Sequence, residues 1–208
     1  MYILSDPSED YGLPTGNYDI PLVLASKQYN TTTGAVLPAT SAGDTIEVNG
    51  QLWPFLNVEP RKYLFRILNG AGTRTFQLQL YAGNTTTSAV DFQVVAADSG
   101  YMTGPVSTTT LTMGMGERYE IVVDFANFTG QSLTLRNALA AEADADTLGQ
   151  AMRFVVGSTV SDDTNNGEVP STLRDITFLE KPSSSSKNFT FALTEYVLLP
   201  MALILDNG

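Results

Sequence analysis

Between Phe76 and Leu80 the chain reads Phe-Gln-Leu-Gln-Leu, a strict alternation that predicts a strand with one buried and one wet face. The same period of two returns at Tyr119–Phe125, where Tyr119, Ile121, Val123 and Phe125 share a face, and at Leu133–Arg136. Other segments are apolar without a break. Asp19–Ser26 predicts a strand covered on both faces, and Tyr63–Leu68, rich in aromatic and branched residues, predicts one that stops at Asn69-Gly70. Ile46 and Val48 lead into Asn49-Gly50, a strong hairpin-turn signal. Phe92–Ala96 reads as a strand ending at Asp98-Ser99-Gly100, Leu111 and Met113 end another before Gly114-Met115-Gly116, and Met152–Val156 is the last. Only Leu139–Met152 has a helix-like composition, and its acids limit it to a short surface turn. Eight or nine short strands with evenly spaced turns and no amphipathic helix predict an all-β fold, a Greek-key sandwich or barrel.

The pattern also divides the chain. Residues 1–18, rich in Pro, Gly and acids, read as a lead-in, either a linker or an extended strap, and residues 19–157 as the sandwich. Residues 158–187, polar and ending in the serine run Ser183–Ser186, read as a linker. Residues 188–208 form an atypical tail in which Tyr196–Leu205 is apolar almost throughout, too short to cross a bilayer and interrupted by Pro200. A strand edge, an aggregation-prone tail and an artificial end of the reading frame are the alternatives, the last being the expectation.

Composition adds exclusions. Of 208 residues 43% are hydrophobic and 16% charged, enough apolar content for one core. The net charge of −11 repels nucleic-acid backbones and anionic membranes, so neither is an expected partner. The chain has no cysteine and no histidine. Disulfides, thiolate ligands, imidazole-held zinc or copper and histidine-assisted nucleophiles are therefore all excluded.

Carboxylates remain. Glu142, Asp144 and Asp146 alternate but lack the glycine and distal acid of a calcium loop, so they read as a solvated loop. Glu47, Glu59, Asp98, Glu117 and Asp124 offer no marked pair for glycoside hydrolysis. Glu117-Arg118 reads as a structural ion pair tying a loop to Arg66 or Arg74, Trp53 as a core or interdomain plug, and Met113 with Met115 as packing rather than soft-metal ligation. No catalytic, cofactor-binding or metal-binding residue is expected. Four Asn-x-Ser/Thr sequons, at Asn30, Asn84, Asn127 and Asn188, are the candidate modification sites and point to a secreted glycoprotein, although Met1–Leu4 supplies no signal peptide.

Several motifs in order carry a resemblance. Trp53-Pro54, Glu59-Pro60-Arg61-Lys62-Tyr63 and Phe65-Arg66-Ile67-Leu68-Asn69 resemble the multicopper oxidases, and within them the fungal bilirubin oxidase and laccase-like group. Asp19–Leu24, Asp98-Ser99-Gly100, Glu117–Glu120, Val123-Asp124-Phe125, Met152-Arg153-Phe154 and Val169–Asp175 continue it to about Phe178. The resemblance is to the middle of that family's three cupredoxin domains. It implies a cupredoxin-like sandwich without a copper site, since in the family copper is held by histidines and one cysteine in the first and third domains and at their interface. It further implies flanking cupredoxin domains as partners, and a parent that couples one-electron oxidation of bilirubin-like or phenolic substrates to reduction of dioxygen to water. This chain would then be a fragment that binds no cofactor, is inactive alone and works as a scaffold. The alternative is a free-standing secreted β-sandwich that binds a partner or glycan without catalysis.

Overall fold

Phe76, Leu78 and Leu80 all point inward, as their alternation with glutamine requires, and the same logic builds two sheets. The computed structural model describes residues 10–38, 43–83 and 85–177. Its strands are β1 (Asp19–Lys27), β2 (Thr45–Val48), β3 (Gln51–Leu52), β4 (Phe55–Val58), β5 (Lys62–Asn69), β6 (Phe76–Ala82), β7 (Ala89–Val90), β8 (Phe92–Ala97), β9 (Gly100–Thr108), β10 (Leu111–Met113), β11 (Arg118–Asp124), β12 (Ser132–Asn137) and β13 (Gln150–Val156). One sheet has seven strands in the order β3-β2-β1-β5-β11-β8-β9, the other six in the order β10-β6-β12-β13-β4, with β7 added on β6. Pairing is antiparallel except for β1 with β5 and β13 with β4. The chain is thus the all-β two-sheet sandwich that its pattern predicts. The unit Met1–Ile176 contains every one of these strands, and Thr177–Gly208 forms a second unit.

The core between the sheets is built on rings. Phe65 of β5 meets Phe154 of β13 at 5.1 Å between centroids, and Phe125 lies 5.2 Å from Phe154 and 5.7 Å from Tyr63. Each aromatic removes a large apolar area from water and holds its neighbours at fixed angles, so this cluster fixes the spacing of the two sheets. The void beside it, lined by Leu22, Phe65, Phe92 and Phe154 among others, is only about 10 Å³, which leaves no room there for a ligand.

Four expectations change. The apolar run of β1 is covered on one face only: Leu22 and Leu24 are buried, but Pro21 and Val23 are exposed, so among the described residues nothing covers that part of the sheet. The Thr-rich run is two strands in different sheets, β9 and β10, joined at Thr109-Thr110. Of the two readings of Trp53, core or interdomain plug, the core one fails, since the residue is 42% exposed at a positive φ of 43°. Arg66 is not tied by Glu117; its partners are described below.

Asn49-Gly50 does form the turn between β2 and β3, with φ of 51° and 77°. Asn49 does more than turn. Its amide Oδ1 accepts from the Val23 N–H at 2.8 Å and its Nδ2 donates to the Pro21 carbonyl at 2.9 Å, tying the hairpin to β1. Asn49→Ala loses both bonds and places a Cβ-bearing residue with no local polar compensation in the left-handed region. We expect a loss of about 2 kcal/mol in unfolding free energy by denaturant titration, with Asn49→Gly losing less because glycine takes the same φ without strain.

The outer face of the seven-stranded sheet is covered over β5, β8 and β11 by the segments that flank the sandwich. Leu13 before β1 and Leu173 after β13 are buried with Leu64, Val95 and Val122, and Tyr11, Tyr101 and Val169 pack against them. The Leu173 N–H donates to the Thr103 carbonyl at 2.9 Å, and the Ser171 carbonyl passes so close to Gly104 that a Cβ there would lie 2.3 Å from it. Only glycine fits under that crossing.

Candidate functional site

Three charged clusters hold the sandwich to its straps and edges. On the outer face of β5, Arg66 grips Asp19 through Nε (2.7 Å) and Nη2 (2.8 Å), and Nη1 reaches Glu120 Oε1 at 2.5 Å. Register dictates this choice, because Glu120 of β11 lies directly opposite Arg66, and Asp19 of β1 pairs with Leu64, two residues along on the same face. Burial raises the Glu120 carboxyl above the ordinary range; the charge of Arg66 works against that rise and Asp19 adds to it. Glu120 Oε2 is buried without a hydrogen-bond partner. Glu117 meanwhile accepts from the Gly114 N–H at 2.7 Å, and Arg118 pairs with Asp98 at 3.0 Å with both side chains nearly half exposed, a pair of little energetic consequence.

The second cluster is at Arg61, which is fully buried. Its guanidinium donates to the carbonyls of Asp162 and Thr164 and stacks 3.5 Å from the centroid of the Tyr18 ring. Beside it, Glu59 accepts from the Ser161 N–H (2.8 Å), the Ser161 hydroxyl (2.5 Å) and the Tyr18 hydroxyl (3.2 Å). The bonds from Ser161 hold the Glu59 carboxyl below its ordinary range, helped by Tyr18 and the charge of Arg61. The third cluster is Glu47 on β2, which is 5% exposed and held by Lys27 at 2.6 Å and the Tyr29 hydroxyl at 2.7 Å. Burial pushes its carboxyl up, and the bonds from Lys27 and Tyr29 more than offset that push, so it too lies below the ordinary range.

Carboxyls lowered on folding contribute stability above the ordinary carboxylate range, and that contribution is lost as pH falls through their folded-state values. Glu47→Gln is therefore expected to narrow the gap in melting temperature between neutral and acid pH. An unchanged gap would contradict the role given to this carboxylate.

The remaining sequence candidates scatter. Glu142 and Asp144 form a short 3-10 turn, and the Asp144 carbonyl closes the loop by accepting from Leu148 at 2.8 Å. Met113 is buried and Met115 is half exposed in its turn. Asn127 is exposed on a 3-10 turn, and Asn30 is half-buried with its Oδ1 accepting from the N–H groups of Thr32 and Thr33, both at 2.9 Å. Asn84, Asn188 and the apolar Tyr196–Leu205 lie outside the described residues.

One surface feature was not foreseen. A recess of about 240 Å³ opens on the outer side of the six-stranded sheet between Trp53, Phe55, Thr134, Gln150, Met152 and Arg153. The Trp53 indole N–H donates to the Thr147 carbonyl at 3.2 Å, which fixes the ring as one wall, and Phe55 is 68% exposed. The signal for it was the lone tryptophan; its partners come from strands far apart in sequence.

Could any of these clusters hold copper? The donor set decides. Copper of the kind that the resemblance implies needs imidazole and thiolate ligands, and the 208 residues contain neither. Among the described residues no three carboxylates converge on a point either. The residues present do not fit a copper ion, so no step of copper chemistry can be assigned to these side chains.

The comparisons with known proteins agree with the fold. A family model described as multicopper oxidase matches residues 18–156, from the turn before β1 to the last residue of β13. The bilirubin oxidase of Albifimbria verrucaria is 39% identical over 211 residues, covering 93% of this chain and 36% of that protein. A laccase of Bacillus subtilis is 33% identical over 174 residues, covering 74% of this chain and 33% of its own. Among solved structures, the McoA multicopper oxidase of the hyperthermophile Aquifex aeolicus superposes with a TM-score of 0.67 at 28% identity, over 83% of this chain and 37% of that one. The sandwich is thus cupredoxin-like, and the chain spans about a third of the length of the curated relatives it matches. By its matched domain, by its relatives and by its fold, this chain belongs to the multicopper oxidase family.

Proposed function

We propose that the chain is the middle, copper-free cupredoxin-like domain of a three-domain multicopper oxidase, and that its work is to hold the flanking domains at a fixed separation. The observation that carries this is the pairing of a family sandwich with the complete lack of histidine and cysteine. Such a domain cannot hold the family's metal, yet placement tolerances in catalysis are tight, so a rigid spacer affects rate without touching an electron. The ring cluster and the Arg61 and Arg66 clamps supply that rigidity. The whole protein would couple one-electron oxidation of bilirubin-like or phenolic substrates to reduction of dioxygen, as the resemblance implies.

Sequencing the transcript across both ends of the reading frame tests this. Histidine-rich segments upstream and a histidine–cysteine segment downstream, in one frame with residues 1–208, are the expected result. A message that encodes these 208 residues alone would sink the oxidase reading and favour a free-standing binding module.

We propose further that the protein is secreted; its four sequons, of which Asn127 is exposed, support that reading. Mass spectrometry of the secreted native protein should find a glycan on Asn127. An intracellular protein unmodified at every sequon would contradict the placement.

A further inference from the structure

Charge is distributed unevenly between the two sheets. Among the described residues, the strands of the seven-stranded sheet carry Asp19, Glu47, Glu120 and Asp124 beside Lys27, Lys62, Arg66 and Arg118, whereas no strand of the six-stranded sheet contains a carboxylate. Its only charged strand residues are Arg136 and Arg153, in a chain of net charge −11. Both lie on the outer face. Leu133 and Leu135 of β12 fill the core, so Thr134 and Arg136 face away from it. Cross-strand pairing then lays out two rows, Tyr81–Thr134–Arg153–Phe55 and Gln79–Arg136–Gln150.

Two features of this face ask for an occupant. The first is the recess walled by Trp53 and Phe55, an aromatic surface of the type that interfaces bury at their centre. The second is Arg136 Nε, which is buried without an acceptor. Its neighbour Gln79 is already engaged, accepting from the Tyr81 hydroxyl at 2.7 Å and donating to the Thr110 hydroxyl at 2.8 Å. The Arg136 charge therefore has no carboxylate in any strand of its own sheet to balance it, and an oxygen brought by a partner to the accessible end of the guanidinium would do so.

A second copy of this chain is a poor occupant. A two-fold contact would bring the Arg136 and Arg153 face of one copy against the same cationic face of the other, with no strand carboxylate on either side. A surface of different sequence is required, and the matched relatives carry about two thirds of their length outside the region that this chain covers. Building on the scaffold reading, we propose that the outer face of the six-stranded sheet is where one flanking domain docks. That domain places an apolar side chain between Trp53 and Phe55 and a carboxylate or carbonyl oxygen opposite Arg136.

Hydroxyl-radical footprinting of the native polypeptide against residues 1–208 alone tests the proposal. Trp53 and Phe55 should be oxidised in the 208-residue chain and lose that reactivity in the native polypeptide. Phe55→Asp with Arg136→Glu should restore Trp53 oxidation there; Phe55→Asp alone, at an exposed position, should restore it in part while the melting temperature of the 208-residue chain stays unchanged. If Trp53 and Phe55 react equally in a native polypeptide that is longer and carries copper, the docking face is wrong and the scaffold reading stands. Should the native polypeptide be only 208 residues long, both fail. Protection that grows with concentration of the 208-residue chain would overturn the proposal in favour of self-association.

Discussion

Phe154→Ala is expected to lower the unfolding free energy by about 4 kcal/mol, a large part of what a domain of this size has. Phe154 is 2% exposed and contacts Phe65 and Phe125, so its ring is shared between β5, β13 and the segment after β11. Removing it opens a cavity that the sheets cannot close without moving toward each other, and that motion would strain every other cross-sheet contact. Phe154→Leu keeps most of the volume and should lose less than half as much. Denaturant titration of both variants checks the order; equal losses would show that ring contacts do not set the sheet spacing.

Arg66→Met should lose about 3 kcal/mol at neutral pH, because it leaves Asp19 and Glu120 facing each other with no cation between them. The loss should depend on pH with a definite sign. Burial already raises the Glu120 carboxyl, and removing the Arg66 charge lets it rise further. A carboxyl raised on folding favours the folded state below its unfolded-state value, and that contribution disappears as pH rises through the folded-state value. The gap between variant and parent should therefore be small in acid and full at neutral pH, and Glu120→Gln in the Arg66→Met background should recover part of it. A gap independent of pH would place the effect in packing instead.

What the sequence made legible was local. The period of two in β6 and β11 placed Phe76, Leu78, Leu80, Ile121 and Val123 inward, Asn49-Gly50 marked its hairpin, and the lack of histidine and cysteine removed the family's copper ligands on composition alone. Register between distant strands was not legible. Nothing near Arg66 in the chain says that Glu120 will lie opposite it, so of the two expected partners of the Glu117-Arg118 loop, Arg66 and Arg74, Arg66 is engaged elsewhere. The burial of Arg61 was not legible either, because the carbonyls that receive its guanidinium belong to Asp162 and Thr164, a hundred residues away. The recess and the carboxylate-free sheet were hidden for the same reason: sheet membership has to be known before the strands' charges can be sorted.

The central claim is that these residues form a copper-free spacer within a longer copper enzyme. Its most direct test is to purify the native protein with an antibody against residues 18–156, then measure its mass and its copper content. A polypeptide nearly three times the 22.4 kDa of this chain, carrying copper, is the predicted result. A 22.4 kDa protein without copper would contradict it.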